Sequence, residues 1–345
     1  MKQDIKNYTL KKFEGFLKEN NLPSYCGSQI FSWLYQKRVE EFDQMSNLAK
    51  KTRQILAKNF FLSKIELKKR EVSKDGTEKL LFALADNNFV EAALIPEGRR
   101  LTFCVSSQVG CKFGCKFCFS GKGGFKRNLS CAEIINQYLA VVDLAGASKI
   151  TNIVFMGVGE PLDNFINTIK AIRLLINPKG FGFSKRRISI STCGLTREIE
   201  RLAKLDLGIK LSVSLHAADD ITRSKIMPIN KRYPLRVLFN SLNRFQQNQK
   251  QEITFEYVLI AGLNTARGHA LKLARLLRGI KCKVNLIPYN ECGADLRPPT
   301  EKEVFSFSEE LKKQGVFFTV RKPKGRDIKA ACGQLSRGTL PVSFR

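Results

Sequence analysis

The chain has 345 residues, with 59 Lys and Arg against 31 Asp and Glu and a formal net charge of +28. Its 43% apolar residues can bury a sizeable core, which excludes a disordered chain, and the length suits a single α/β barrel with an accessory module. A basic excess this large is out of place in an enzyme whose only substrate is a small neutral metabolite, and it points to a polyanionic partner.

No run of 18 or more apolar residues occurs and the start, MKQDIKNYTLKKFEGFLKEN, has no apolar core of a secretory signal. The expectation is a cytoplasmic protein with no membrane contact. Ten cysteines in a reducing compartment point to metal binding or redox chemistry more than to disulfides, and with only His216 and His269 a His-rich metal site is excluded. Along residues 1–85, segments such as 29–35 and 46–58 carry apolar residues at three- and four-residue spacing, which predicts a small helical accessory domain. Residues 1–90 hold 17 basic and 11 acidic side chains and the remainder 42 and 20, so the excess is spread over the larger part.

Over residues 86–345 the pattern becomes short β-branched or apolar runs alternating with helix-length segments. Strands are predicted at 101–106, 150–156, 187–192, 210–215, 253–260, 283–288 and 316–320, and helices near 131–145, 165–177, 196–205, 235–247, 265–278 and 300–313. Such alternation describes an α/β fold with a parallel sheet, curled by right-handed crossovers toward a full or partial (β/α) barrel, whose chemistry sits in loops at the C-terminal strand ends.

The strongest local signal lies in one such loop: Cys111, Cys115 and Cys118, a C-x3-C-x2-C run. Structural zinc would need a fourth ligand and usually a second paired half, which no other C-x2-C or H-x3-H provides. A 4Fe-4S cluster with three protein thiolates has a reason to be one ligand short, because its fourth iron stays open to a substrate such as S-adenosylmethionine. A zinc-stabilised, non-catalytic RNA-binding protein is the alternative of a different class.

That spacing resembles the signature of the radical S-adenosylmethionine superfamily, and the flanking residues are similar to one branch of it. Phe103-Cys104-Val105-Ser106-Ser107-Gln108-Val109-Gly110-Cys111, Gly157-Val158-Gly159-Glu160-Pro161, Ser214-Leu215-His216-Ala217, Met227-Pro228-Ile229-Asn230 and Ala330-Ala331-Cys332-Gly333-Gln334-Leu335 stand in the order of the dual-specificity RNA methyltransferases that methylate C2 of adenosine in 23S rRNA and tRNA. Trp33-Leu34-Tyr35-Gln36-Lys37-Arg38 resembles that family's N-terminal module, so the likeness spans nearly the whole chain. Phe119-Ser120-Gly121-Lys122-Gly123 departs from it.

The resemblance implies a radical-SAM barrel, a 4Fe-4S cluster on Cys111, Cys115 and Cys118, and two S-adenosylmethionine molecules per turnover. It assigns cofactor contacts to Gly159, Glu160, Ser191, Ser214, Leu215, His216 and Asn290. It also implies that Cys332 becomes S-methylcysteine, that a 5′-deoxyadenosyl radical takes a hydrogen from that methyl, that Cys104 releases the product by forming a disulfide, and that Glu91 accepts the C2 proton. The chemistry calls for such a relay, since electron-poor C2 does not attack a sulfonium methyl directly and a thiolate is a competent acceptor. Cys104 and Cys332 could also be inert buried thiols, and Glu91 an ordinary exposed strand carboxylate. The sister activity, methylation of C8 of the same rRNA adenosine, is the near alternative. An electron donor such as flavodoxin, RNA bound through Lys122, Lys126 and Arg127, Lys185-Arg186-Arg187, Lys231-Arg232 and the 321–326 run, and a monomeric enzyme complete the expectations.

Overall fold

The computed structural model describes residues 1–146, 149–292, 295–336 and 338. The chain opens with β1 (Gln3–Asp4), α1 (Leu10–Glu19), α2 (Tyr25–Phe31), α3 (Lys50–Asn59) and β2 (Phe60–Phe61), with β1 and β2 paired in parallel. Thr9 caps α1 through its side chain, and Phe13, Tyr8, Phe31 and Phe60 meet edge-on or tilted to make a core for the module. Lys6 ties the module to the rest: its buried ammonium donates to the Ser63 carbonyl and to Asn136 Oδ1 at 2.7 and 2.8 Å.

From there the chain adds β3 (Glu66–Val72), β4 (Glu78–Ala83), β5 (Phe89–Glu97), β6 (Arg100–Cys104), a small hairpin of β7 (Gln108–Gly110) and β8 (Phe125–Asn128), and α4 (Cys131–Ala145). Alternating units follow: β9 (Asn152–Phe155), α5 (Phe165–Ile176), β10 (Ile188–Thr192), α6 (Thr196–Ala203), β11 (Lys210–Ser214), α7 (Asp220–Ile226), α8 (Leu235–Gln249), β12 (Ile253–Leu259), α9 (Arg267–Leu276), β13 (Cys282–Pro288), α10 (Glu301–Lys313) and β14 (Phe318–Val320). One sheet runs β14-β13-β12-β11-β10-β9-β6-β5-β4-β3, parallel from β14 to β6 and antiparallel beyond it. The sheet has two free ends, so the barrel is partial. Capping boxes at Ser130/Glu133 and Thr300/Glu303 start α4 and α10, and among the described residues no helix is long and apolar enough to cross a membrane.

The expected alternation of strands and helices from residue 100 onward is present. The helical reading of residues 1–85 is corrected in its last third: helices stop at Asn59, and residues 66–83 are β3 and β4. A division between 85 and 86 would separate β4 from β5, whose residues pair from Glu78 with Leu94 to Ala83 with Phe89. β3 escapes the apolar-run criterion because it is an edge strand rich in exposed charges, the composition that keeps a sheet edge from pairing with another chain.

Candidate active site

β6 delivers Cys104 and β9 delivers the Gly157–Pro161 loop to the same end of the barrel. Ser106 couples them, its hydroxyl donating to the Glu91 carbonyl at 2.5 Å and accepting from Val158 N at 2.7 Å. The loop 111–118 then folds across the strand ends, fixed by Lys116 N on the Ile226 carbonyl (2.9 Å) and Phe119 N on the Gly333 carbonyl (2.6 Å). Beneath it lies a cavity of about 150 Å³. Cys111, Cys115 and Cys118 form one wall, and Cys332 lines the same space.

Of the residues expected around a cofactor, Gly159, Glu160, Ser191, Ser214, His216 and Asn290 line this cavity. Glu160 is 4% exposed and braced between strand ends, one oxygen accepting from Leu162 N at 3.0 Å and the other from Cys193 N at 2.7 Å. Burial raises its carboxyl to about 7, against the pull of those two amides. Gly159 sits at φ +101°, and a Cβ there would come within 2.5 Å of Gln108 Cβ. Gln108 Oε1 in turn accepts from Glu160 N.

His216 accepts Val258 N on Nδ1 at 3.0 Å, which leaves the proton of the neutral ring on Nε2. Burial first, then the Arg223 charge, lowers its pKa to about 3, so the ring is neutral at physiological pH. Asn290 donates to the Cys332 carbonyl at 3.3 Å, while its buried Oδ1 has no hydrogen-bond partner. Leu215 differs from expectation: its side chain is fully buried and off the cavity, and its backbone joins Glu256 and Arg223 instead.

The remaining expected residues stand behind the wall. Cys104 is buried and does not line the cavity. Burial lifts its thiol to about 12, with the neighbouring Cys332 adding to the shift and Arg321 opposing it. Glu91 is not an exposed carboxylate: its side chain is 12% exposed, Oε2 accepts from Ser336 N at 2.7 Å and from the Ser336 hydroxyl at 3.2 Å, and burial raises its pKa. It therefore holds the segment four residues beyond Cys332. Gly333 at φ +84° lets that segment turn where a Cβ would come within 2.8 Å of the Phe117 carbonyl.

Arg223 escaped the sequence reading, and Arg321 was expected on RNA with the rest of the 321–326 run. Arg321 lines the cavity and carries its charge within electrostatic reach of Cys332, Glu256 and Cys104. Arg223, with no exposed surface, donates to the carbonyls of Leu215, Cys193 and Ser214 and to Asn230 Oδ1. A lone Arg among polar residues looks like a solvated side chain in sequence.

The donor set suits the expected groups. Three thiols converge on one cavity, beside a carboxylate fit for an ammonium and an amide oxygen that lacks a donor. Among the described residues no three His, Cys, Asp or Glu side chains are set to hold a single metal ion as they stand. In a 4Fe-4S cluster each thiolate takes a different iron, so convergence on one point is not required.

Seven parallel strands in a partial barrel, a three-thiol loop and an anion-bearing cavity at the C-terminal strand ends define the radical S-adenosylmethionine class, and residues 105–274 match the Radical SAM superfamily. Residues 3–62 match the ribosomal RNA large subunit methyltransferase N-terminal domain. The chain is 44% identical over 339 residues (97% of this chain, 91% of the relative) to the dual-specificity RNA methyltransferase RlmN of Desulfosudis oleivorans. It is also 44% identical to that of Geotalea uraniireducens, covering 100% of this chain and 99% of the relative. The crystal structure of a radical SAM methyltransferase from Sphaerobacter thermophilus superposes with a TM-score of 0.90 at 39% identity, covering 97% of this chain and 100% of that one. The chain belongs to the RlmN family of dual-specificity RNA methyltransferases.

Proposed function

We propose that this enzyme methylates C2 of adenosine in 23S rRNA and in tRNA, with Cys332 as the methyl carrier. The observation that carries the reading is that Cys332 shares one cavity with the three-cysteine loop while a second thiol, Cys104, lies close behind it. Cys111, Cys115 and Cys118 would hold the 4Fe-4S cluster, and Glu160, Gly159, Ser191, Ser214, His216 and Asn290 would seat S-adenosylmethionine, of which two are used per turnover. When bound and reduced, the cluster supplies the electron that splits the sulfonium and provides a hydrogen-abstracting radical.

The protein's own groups do the rest. Cys332 takes a methyl from the first S-adenosylmethionine, and after hydrogen removal its methylene carbon bonds to C2. Cys104 attacks the Cys332 sulfur, so that an S–S bond forms as the bond from sulfur to the methylene carbon breaks, and that carbon takes a proton and stays on C2 as the methyl group. Glu91 takes the C2 proton, its raised pKa suiting a group that must first be ionised and then hold a proton. Gly333 and the hydrogen bonds of Asn290, Phe119 and Ser120 to the 332–335 segment keep Cys332 at the cavity.

The target base has to leave its stack to enter this cavity. Lys122, Lys126, Lys231 and residues 322–326 flank the catalytic end and would track RNA phosphates. The other expected contacts are reassigned: Arg321 lines the cavity and Arg232 the crevice outside it. Arg127 is consumed by Glu133 and Asp86, and 185–187 precede β10 at the far end of the barrel. A monomer is the proposed state. Ten free cysteines and an RNA substrate support action in the cytoplasm, with a one-electron donor such as flavodoxin. Mass analysis of digested rRNA and tRNA fragments after incubation should show 2-methyladenosine. Finding only 8-methyladenosine overturns the regiochemistry, and a colourless zinc-loaded protein after anaerobic reconstitution overturns the enzyme.

A further inference from the structure

The wall that carries the cysteines has a second face. A crevice of about 190 Å³ lies outside it, lined by Lys112, Phe113, Phe165, Arg197, Arg201 and Arg232 among others. Neighbouring residues alternate between the two spaces. Cys111 faces the inner cavity and Lys112 the crevice; Pro161 lies inside and Asp163 outside; Cys193 lies inside and Leu195 outside. Phe113 lines both, and it stands between Cys111 and Cys115 in the chain. On this outer face the crevice therefore comes within one side chain, Phe113, of the thiols.

Its chemistry is that of a site for an acidic partner. Four cations meet two carboxylates, Asp163 and Glu198. Among the described residues only Lys112 of these four is closely paired, with Asp163 at 2.7 Å. The Arg201 guanidinium lies 4.1 Å over the Phe165 ring and that of Arg232 5.3 Å over Tyr233, so their charges are held in place without being neutralised. Leu162, Leu195 and the Phe113 and Phe165 rings add apolar surface between them. A small patch of fixed cations around apolar groups fits a brief, charge-steered encounter between redox proteins, which use small interfaces and fast arrival.

Resting on the reading that Cys111, Cys115 and Cys118 hold a 4Fe-4S cluster, we propose that this crevice docks the protein that reduces it: a small acidic carrier with a one-electron cofactor near its surface. One electron leaves the carrier and enters the cluster across the Phe113 wall. The carrier is oxidised by one electron and the cluster reduced by one, with no atom or proton exchanged. RNA is disfavoured here because the base must reach Cys332 inside the cavity, and Cys332 does not line the crevice.

The test uses the cluster-loaded enzyme with Arg197→Glu/Arg201→Glu and, as a milder pair, Arg197→Gln/Arg201→Gln. Formation of 5′-deoxyadenosine is followed with reduced flavodoxin as the acidic carrier and separately with dithionite, which needs no docking site. The flavodoxin-driven rate should fall about tenfold or more in the Glu pair and less in the Gln pair, and added salt should slow the parent enzyme toward the variants. The dithionite-driven rate, iron content and RNA affinity should stay at parent values. An unchanged flavodoxin rate in both pairs overturns the proposal. So does an equal fall with dithionite, which would place these arginines in support of the inner cavity, and so does lost RNA affinity with the flavodoxin rate intact, which would make the crevice an RNA contact. Failure of the unsubstituted protein to bind iron is a separate result that removes the cluster reading itself.

Discussion

At Gly159 a backbone angle of +101° coincides with a contact that no side chain could survive, since a Cβ would sit 2.5 Å from Gln108 Cβ and 2.8 Å from its Oε1. Gln108 cannot move freely, because Oε1 holds Glu160 N and Nε2 holds Asn128 and Asp163. Gly159→Ala should cost about 1–3 kcal/mol, read as a lower urea midpoint, and should weaken S-adenosylmethionine binding through displaced Glu160. The thiols separate more sharply. Cys332→Ala should carry neither methyl nor RNA, whereas Cys104→Ala should accumulate as a covalent RNA adduct visible on denaturing gels and removed by ribonuclease. A Cys104→Ala enzyme with normal turnover contradicts these roles, as does a crosslinked Cys332→Ala. Cys111, Cys115 and Cys118 were legible because spacing alone brings them together, and Glu160, Ser191 and Ser214 because they follow strands. Arg321 and the true setting of Glu91 were not, because both depend on the 321–336 segment folding back from more than 200 residues away.

The elements around the site were legible in proportion to how fully they are buried. β12, with six of its seven residues buried, and α4, with ten of its fifteen buried, announced themselves by apolar runs. β3 did not, since charge on an edge strand hides its pairing, β4 was absorbed into the helical reading of residues 1–85 although its centre is buried, and the seven-residue α7 was too short for periodicity to reveal. Yet α7 carries the heaviest structural duty near the cavity. Through Arg223 it gathers the last carbonyls of β10 and β11, and no carboxylate is ion-paired with that guanidinium among the described residues. Arg223→Met should therefore lose about 3–5 kcal/mol, because the carbonyls of Leu215, Cys193 and Ser214 would stay buried without donors. Arg223→Lys should recover part of that loss while keeping the charge. A Met variant with the parent's urea midpoint would show that water replaces the guanidinium there.

For the molecule as a whole, the buried thiols make stability depend on pH in a direction opposite to that of its buried lysine. Burial raises Cys104 and Cys131 from 9.0 to about 12 and Cys282 to about 11, so these groups stay protonated in the folded chain while the unfolded chain ionises them near 9. Above that pH the unfolded state binds fewer protons, and stability falls as pH rises through 9 to 11. Lys6 acts the other way: burial lowers it from 10.5 to about 8, so between those values the unfolded state binds more protons and stability rises with pH. Three thiols outweigh one ammonium in the overlapping window. The urea midpoint of the cluster-free, reduced chain should therefore decline between pH 9 and 11, and Cys131→Ala, which removes a thiol with no exposed surface at the first turn of α4, should make the decline shallower. A midpoint that is flat or rising over that range would mean that these thiols are reached by water in the folded chain.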